Sequence, residues 1–353
     1  MALHEYECPS CGGAMEFNPQ TQNLKCPYCD SEFNVKDYIA NHNSNSEGES
    51  AENYTNESTT EDNQPLFIYK CGSCCGEILT TESLGSTKCP FCSNNVVVSE
   101  KFTGQFKPDY IIPFKSTKKD AMDTYRRFVK SKKLCPKVFL DENHIDEIKG
   151  VYVPFWLYKA DESFTGSYEG TKVRHWSDSK YDYTETKYFQ IDRAGTESFD
   201  NVPVDGSKEM PDDLMESLEP FDHNEMVPFN MGYLAGFLAN KYNVEAQACK
   251  PRALERIKNS VVEDFKKTID SYSSLRTLHE TVNTVHSSHK YAMYPVYILN
   301  TTWQGKNYLF AMNGQTGKFV GNLPMSKLLA LKYYIPFAAA ISLVSFIIYS
   351  IFF

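Results

Sequence analysis

The sequence predicts an α+β protein made of two small four-cysteine modules, a larger mixed domain and one apolar C-terminal helix. Three observations carry that assignment. Cysteines recur in CxxC pairs with a single spacing, aromatic alternating segments are interleaved with amphipathic helices, and the last nineteen residues carry no charge.

The cysteines come first. Cys8-Pro-Ser-Cys11 is followed by Cys26-Pro-Tyr-Cys29, and Cys71-Gly-Ser-Cys74 by Cys89-Pro-Phe-Cys92. Each pair encloses two residues, and fourteen residues separate the pairs in both constellations. Two thiolates on a tight knuckle supply half of a tetrahedral shell, and a short β-hairpin brings up the other half. The expected ligands are therefore Cys8, Cys11, Cys26 and Cys29 for one Zn²⁺, and Cys71, Cys74, Cys89 and Cys92 for another. Four sulfurs at about 2.3 Å close the shell and leave no position for a reactive water, which makes both sites structural. Iron in a rubredoxin-like shell uses the same ligand set, whereas redox CxxC chemistry does not need two matched pairs twice over. Gly12, Gly13, Gly72 and Gly76 suit the knuckle turns. The segments Ala14–Phe17 and Leu24–Lys25 read as hairpin strands. A ribbon of this size lacks a sufficient apolar core, so the metal supplies much of its folding free energy. Cys75, Cys135 and Cys249 are left over and read as inert thiols.

The first ribbon spans residues 1–40 and the second 66–100. Between them, residues 41–65 hold six acidic residues, no Lys or Arg, and Tyr54 as the one large aromatic before the second ribbon. Such a segment buries too little to offset its ordering entropy and reads as a disordered acidic linker. From 101 to 325 two similar α+β units are expected, at about 105–175 and 225–322. In the first, Ile112-Pro-Phe114 precedes a helix with Ala121, Met122, Tyr125, Phe128 and Val129 on one face. Thr117 and Asp120 fit a capping box at its start. The strand Val151–Tyr158 follows, then Phe164–Tyr168. In the second, Val227-Pro-Phe229 precedes a helix striped with Leu254, Ile257, Val261, Phe265 and Ile269, then Tyr294–Leu299 and Trp303–Tyr308.

The C-terminal segment 335–353 would form a helix of roughly 28 Å, close to the thickness of a bilayer's hydrocarbon core. Lys327, Lys332, Tyr333 and Tyr334 precede it as interfacial residues do, and its few polar residues are serines. A single-pass, C-terminal anchor in the cell membrane is expected, with a juxtamembrane segment from 326. The basic residues before it, and cysteines patterned for metal in a reducing compartment, put the N-terminal domains in the cytoplasm. No basic stretch followed by an apolar run occurs at the N-terminus, which argues against a cleaved secretory signal.

The chain has 353 residues and a net charge of −9, which argues against a general polyanion binder. Each ribbon carries three acidic and two basic residues from its first cysteine to Lys36 or Lys101. Tyr28 and Phe91 could stack on bases, but at the third knuckle position local packing is the expectation. His279, His286 and His289, with Glu280, read as a polar helix face or loop. Asn313-Gly-Gln-Thr-Gly-Lys318 lacks the Walker spacing and reads as a hairpin turn. No nucleophile elbow, kinase set or dinucleotide fingerprint occurs, and the chain reads as non-enzymatic.

The motifs CPSCGG at 8–13, CPYCDSEF at 26–33, the cysteines at 71–92, VPFW at 153–156 and the terminal apolar segment together resemble one family. It comprises bacterial membrane-anchored proteins with TFIIB-type zinc ribbons, often labelled primosomal or replication-restart helicase-like. The chain lacks both Walker motifs, so that label implies no helicase activity here. The resemblance implies a link to membrane-stress systems, with phage-shock-protein-A-like coat proteins and flotillin-like (SPFH) proteins as partners. The functional expectation is a zinc-binding adaptor that assembles cytosolic and membrane proteins at the bilayer, its ribbons partly freed by the acidic linker. The alternative is a membrane-tethered nucleic-acid binder.

Overall fold

The computed structural model describes residues 6, 8–38, 67–71, 77–80, 87–88, 90, 95–101, 108–140, 145 and 147–352. The expected linker lies outside the described residues.

Three strands, β1 (Glu16–Asn18), β2 (Asn23–Lys25) and β3 (Glu32–Asn34), make a small antiparallel sheet of their own. Strands β4 (Phe67–Cys71), β5 (Glu77–Thr80), β6 (Thr87–Lys88) and β7 (Asn95–Lys101) follow. They belong to the large sheet, which β5 enters by pairing with β12 (Leu238–Asn240), Leu79 opposite Ala239.

The rest of the domain is organised around two very long strands. β9 (Lys149–Ser177) has 29 residues and β13 (Ser274–Trp303) has 30. They pair antiparallel along nearly their whole length, from Lys149 opposite Ile298 to Thr171 opposite Ser274. At about 3.3 Å per residue each is roughly 95 Å long. β10 (Asp182–Asp205) returns on the other side of β9, and β14 (Lys306–Asn313) on the other side of β13. β8 (Tyr110–Ile111) lies parallel to β13, as β12 does to β9. Two short strands finish the sheet: β11 (Val227–Pro228) pairs with β8, and β15 (Phe319–Gly321) with β14.

The inner half of β9 is apolar on both faces, as burial on both sides requires. Tyr152, Trp156 and Tyr158 turn to one side, where α1 (Lys118–Ser131) covers the neighbouring strands. Val151, Val153, Phe155 and Leu157 turn to the other, against Met210, Met215, Leu218 and Phe221 around α2 (Asp212–Ser217). The expected capping box is present: the Asp120 N–H donates to Thr117 Oγ1, and the Asp120 carboxylate accepts from the Thr117 N–H at 2.8 Å. Ala121, Tyr125 and Val129 are buried on the expected face, with Met122 and Phe128 packed beside them.

Beyond this body, β13, β9 and β10 continue as a three-stranded arm. One face is covered by α3 (Ala246–Lys267), whose Leu254, Ile257, Val261 and Phe265 form the expected stripe, with Ile269 packing just past its end. Phe265 stacks on Phe164 at 4.3 Å between centroids, and Gly195 leaves the room, since a Cβ there would lie 2.8 Å from the Phe265 ring. The opposite face is Ser- and Thr-rich and cross-linked by side-chain hydrogen bonds, among them Ser167 to Asp192 at 2.7 Å and Thr171 to Ser274 at 2.6 Å. At the tip Trp176 stacks on Tyr183 at 5.4 Å, with the Arg174 guanidinium over the indole. Val151–Tyr158 and Phe164–Tyr168, which read in sequence as separate short strands, are thus parts of one strand, β9, whereas Trp303–Tyr308 spans the turn from β13 into β14. Gly166 and Gly170 are strand positions crowded by Phe164, Tyr168, Tyr272 and Ile191.

The C-terminal helix α4 (Lys327–Phe352) begins eight residues before the expected span. It is long and apolar enough to cross a membrane, and its Lys327–Ile347 stretch buries nothing against the body. Its start is tied down: the Ser326 N–H donates to the Leu134 carbonyl at 2.9 Å, just past α1.

The Phe164–Phe265 stack makes the arm depend on α3. Phe265→Ala should cost about 3–5 kcal/mol locally. Hydrogen exchange should then show faster amides in the outer parts of β9, β10 and β13, with β1–β3 unchanged.

Candidate metal centre

Cys8, Cys11, Cys26 and Cys29 converge, with their four Sγ atoms all within 4.8 Å of one another. Both knuckles are built alike. The Gly12 N–H donates to the Cys8 carbonyl at 2.8 Å and the Asp30 N–H to the Cys26 carbonyl at 3.0 Å. Each turn closes on a residue in the left-handed region, Gly12 at φ 74° and Asp30 at φ 58°, where glycine or a short Asx side chain is tolerated best. The expected hairpin strands are present as β1 and β2, with Phe17 opposite Leu24. β3, which the sequence reading missed, pairs with β2 through Leu24 and Phe33.

The sulfur spacing fits a tetrahedral ion. Cys8 to Cys29 and Cys11 to Cys26 are each 3.5 Å. Four sulfurs at about 2.3 Å from a zinc would be about 3.8 Å apart along each edge. Cys8 and Cys26 are buried, while Cys11 and Cys29 reach the surface. The thiols do not titrate alike. The Ser31 hydroxyl and N–H beside Cys29 favour its thiolate and draw it down to about 6. At Cys11 the Gly13 N–H favours the thiolate, but the neighbouring thiols of Cys29 and Cys26 outweigh it and push the group up to about 12. The cluster holds protons that a divalent cation would displace.

The cysteine cluster is part of the body. Phe17 meets the Tyr233 ring edge-on at 5.2 Å, and its N–H donates to the Ala235 carbonyl at 3.0 Å. Gln22 Nε2 donates to the Phe114 carbonyl at 2.8 Å. Tyr6, Met15, Leu24, Val35 and Tyr38 join the same apolar cluster as Tyr152 and Trp156. The expectation that the linker frees the ribbons is therefore corrected for the first one, which is docked. Tyr28 also differs in part from expectation: its ring lies against Gly13, yet the side chain is 76% exposed.

Of the second ligand set, Cys71 ends β4, and Cys74, Cys89 and Cys92 lie outside the described residues, as do Gly72, Cys75, Gly76 and Phe91. The histidines are corrected. His279, His286 and His289 are on strand β13, opposite Ser167, Asp161 and Tyr158, and not on a helix or loop. Two register shifts leave His279 and His286 on the polar face, several residues apart, while His289 sits beside Trp156 on the other face. They do not converge. Asn313–Lys318 is the expected turn between β14 and β15, held by Asn313 Oδ1 accepting from the Gln315 and Thr316 N–H groups at 2.9 Å.

Sequence reasoning missed a buried polar cluster where β10 ends. Asp205, Ser207, Met210, Cys249 and Arg252 line a cleft of about 350 Å³. Ser207 Oγ donates to Glu209 at 2.6 Å and accepts from Asn240 Nδ2 at 2.6 Å. Burial pushes Asp205 well above the usual carboxylate range, against the Ser207 N–H that favours its anion. Burial, then Asp205, pushes the Cys249 thiol up to about 11. The alternating Asp205-Gly-Ser-Lys-Glu209 is the one trace of this cluster in the sequence.

Two outcomes follow from these groups. The purified chain should contain zinc, and Cys26→Ser should lower it by about one ion per chain; acidification should also release it, because each thiolate must regain a proton. Elemental analysis at several pH values checks both. Asp205 binds its proton more tightly folded than unfolded, so it costs stability increasingly as pH rises above about 4. Asp205→Asn should therefore stabilise the chain by roughly 1–3 kcal/mol at pH 8 and less at pH 5, read by thermal denaturation.

No family model matches the chain, and no solved structure matches it. The chain is similar to an uncharacterized protein of Bacillus subtilis (strain 168), YdjG: 29% identical over 326 residues, covering 91% of this chain and 90% of that one.

Proposed function

We propose that this chain is a non-enzymatic, zinc-binding adaptor anchored in the cell membrane by α4, which assembles protein partners on its cytoplasmic side. The observation that carries this reading is the pairing of a closed four-thiol cluster with an unburied apolar helix on one body. Four thiolates leave a bound ion no open position for substrate, so the metal shapes a surface. That surface is held in a fixed place by Phe17, Gln22 and Tyr233. An exposed helix with this composition is stable once lipid covers it. Lys327 and Lys332 at its start favour the cytoplasmic side for the residues before it.

The resemblance to membrane-anchored zinc-ribbon proteins of membrane-stress systems supplies the first candidate partners, phage-shock-protein-A-like coat proteins and flotillin-like proteins. A second set of four cysteines at 71, 74, 89 and 92 would bind a further structural zinc in the same way.

The reading is tested by crosslinking in intact membranes, solubilisation and mass spectrometry of the captured proteins. A stoichiometric protein partner that is lost in Cys26→Ser is the expected result. Capture of nucleic acid with a steep salt dependence, or of no partner at all, would overturn it.

A further inference from the structure

The arm has a free edge with an unusual character. The Ser273 N–H donates to the Thr171 carbonyl, so the odd-numbered residues of β9 turn their backbone groups toward β13 and the even-numbered ones toward β10. Through the β9–β10 register, Tyr168 opposite Ile191, the odd residues of β10 bond to β9. Its even residues, from Asp182 to Ser198, then point N–H and C=O away from the sheet, and no described strand pairs with them.

Natural edges of this length are normally blunted by proline, bulges or twist. β13 follows that rule, with irregularities at Thr277/His279 and Thr284/His286. β10 does not. Its register runs unbroken from Asp182 opposite Ser177 to Phe199 opposite Ala160, and this stretch contains no proline. Of its carbonyls, that of Asp192 accepts from Arg193 Nη1 at 3.0 Å, a bond that strand addition would exchange for a backbone one. The ladder of some fifteen residues, roughly 50 Å, is a ready template for strand addition.

We propose that a second copy of this chain fills that edge, by antiparallel pairing of β10 with β10 about a two-fold axis at Phe189. Such an axis stands normal to the sheet, so both copies keep the same face up and only two-residue shifts of register are allowed. With the axis at Phe189, Glu185 faces the partner's Arg193 and Arg193 faces the partner's Glu185. Lys187 faces the partner's Ile191, Tyr183 the partner's Gly195, and Phe189 its own copy. Neighbouring registers are worse. Moving the axis to Gln190 sets Lys187 against the partner's Arg193. Ile191 as the centre opposes Glu185 to the partner's Glu197, and Lys187 or Asp192 as the centre opposes like charges directly. Tyr188 as the centre avoids repulsion but forms no ion pair.

Two further features agree. Phe189 meets Tyr272 at 5.6 Å, with Lys172 above both rings, so pairing joins two aromatic patches into one seam. Helices α1 and α3 lie on the same side of the sheet, and α4 starts from the end of α1. The two-fold therefore leaves both membrane helices starting on one face of the joined sheet, as a single bilayer demands.

The test uses the full chain in lipid nanodiscs, with mass read by light scattering. The wild type should be a dimer. Glu185→Arg and Arg193→Glu should each weaken it at least tenfold, the double variant should regain it, and an equimolar mixture of the two single variants should form heterodimers. Independently, Phe189→Cys should crosslink across the axis, where facing Cα atoms about 4.5 Å apart suit a disulfide, and Val285→Cys on the β13 edge should not. A monomeric wild type, a dimer indifferent to both single substitutions, a double variant that stays monomeric, or Phe189→Cys failing to crosslink would overturn the proposal.

Discussion

Everything in the large domain hangs on the antiparallel pairing of β9 with β13. The inner halves of these strands carry the core on both faces, and their outer halves carry the arm. β10 and β14 hang from their outer sides, and β8 and β12 are laid parallel to them. The two strands lie 97 residues or more apart in sequence at their nearest ends. Their pairing is thus non-local and slow to find, but once formed it recruits each neighbouring segment locally. Helices α1 and α3 then lock it from one face, with Tyr125 against Phe310 and Phe265 against Phe164.

Charge has a structural part in this arrangement. Arg252 on α3 bonds Glu216 at 2.8 Å and reaches Asp212 on α2; Arg256 reaches Glu219 at 2.9 Å. These pairs hold the two helical segments at the edge of the core, where burial keeps Glu219 above the usual carboxylate range although Arg256 favours its anion. The polar face of the arm is cross-linked by hydroxyls bonded to one another and to carboxylates, and by the Arg276–Glu169 ion pair at 3.3 Å, so its strands are fastened without a layer of apolar side chains.

The parts of this molecule that were legible in its sequence are those set by local chemistry. The Thr117–Asp120 capping box, the Leu254–Phe265 stripe, the Gly12 knuckle and the apolar terminal helix each follow from a few neighbouring residues. The arm was not legible, because its outer strands are covered on one face and free at the edges. Residues such as His279, Thr281, Asn283 and His286 have no burial to satisfy on their side of the sheet, so their polarity mimics a loop. The docking of the first ribbon escaped for a different reason. Phe17 and Tyr233 are more than two hundred residues apart, and nothing near either one names the other.

The shape of the arm has a mechanical meaning. A flexible tail of forty residues wanders over a radius of about 35 Å and spends little time at any one distance from its root. A three-stranded beam braced by a helix does not wander. Its tip, with Trp176 and Tyr183 stacked at the end, stays about 60 Å from the body like the end of a ruler. Whatever the tip meets is met at a set spacing, and a deletion that shortened β9, β10 and β13 in step would change that spacing without touching any side chain at either end.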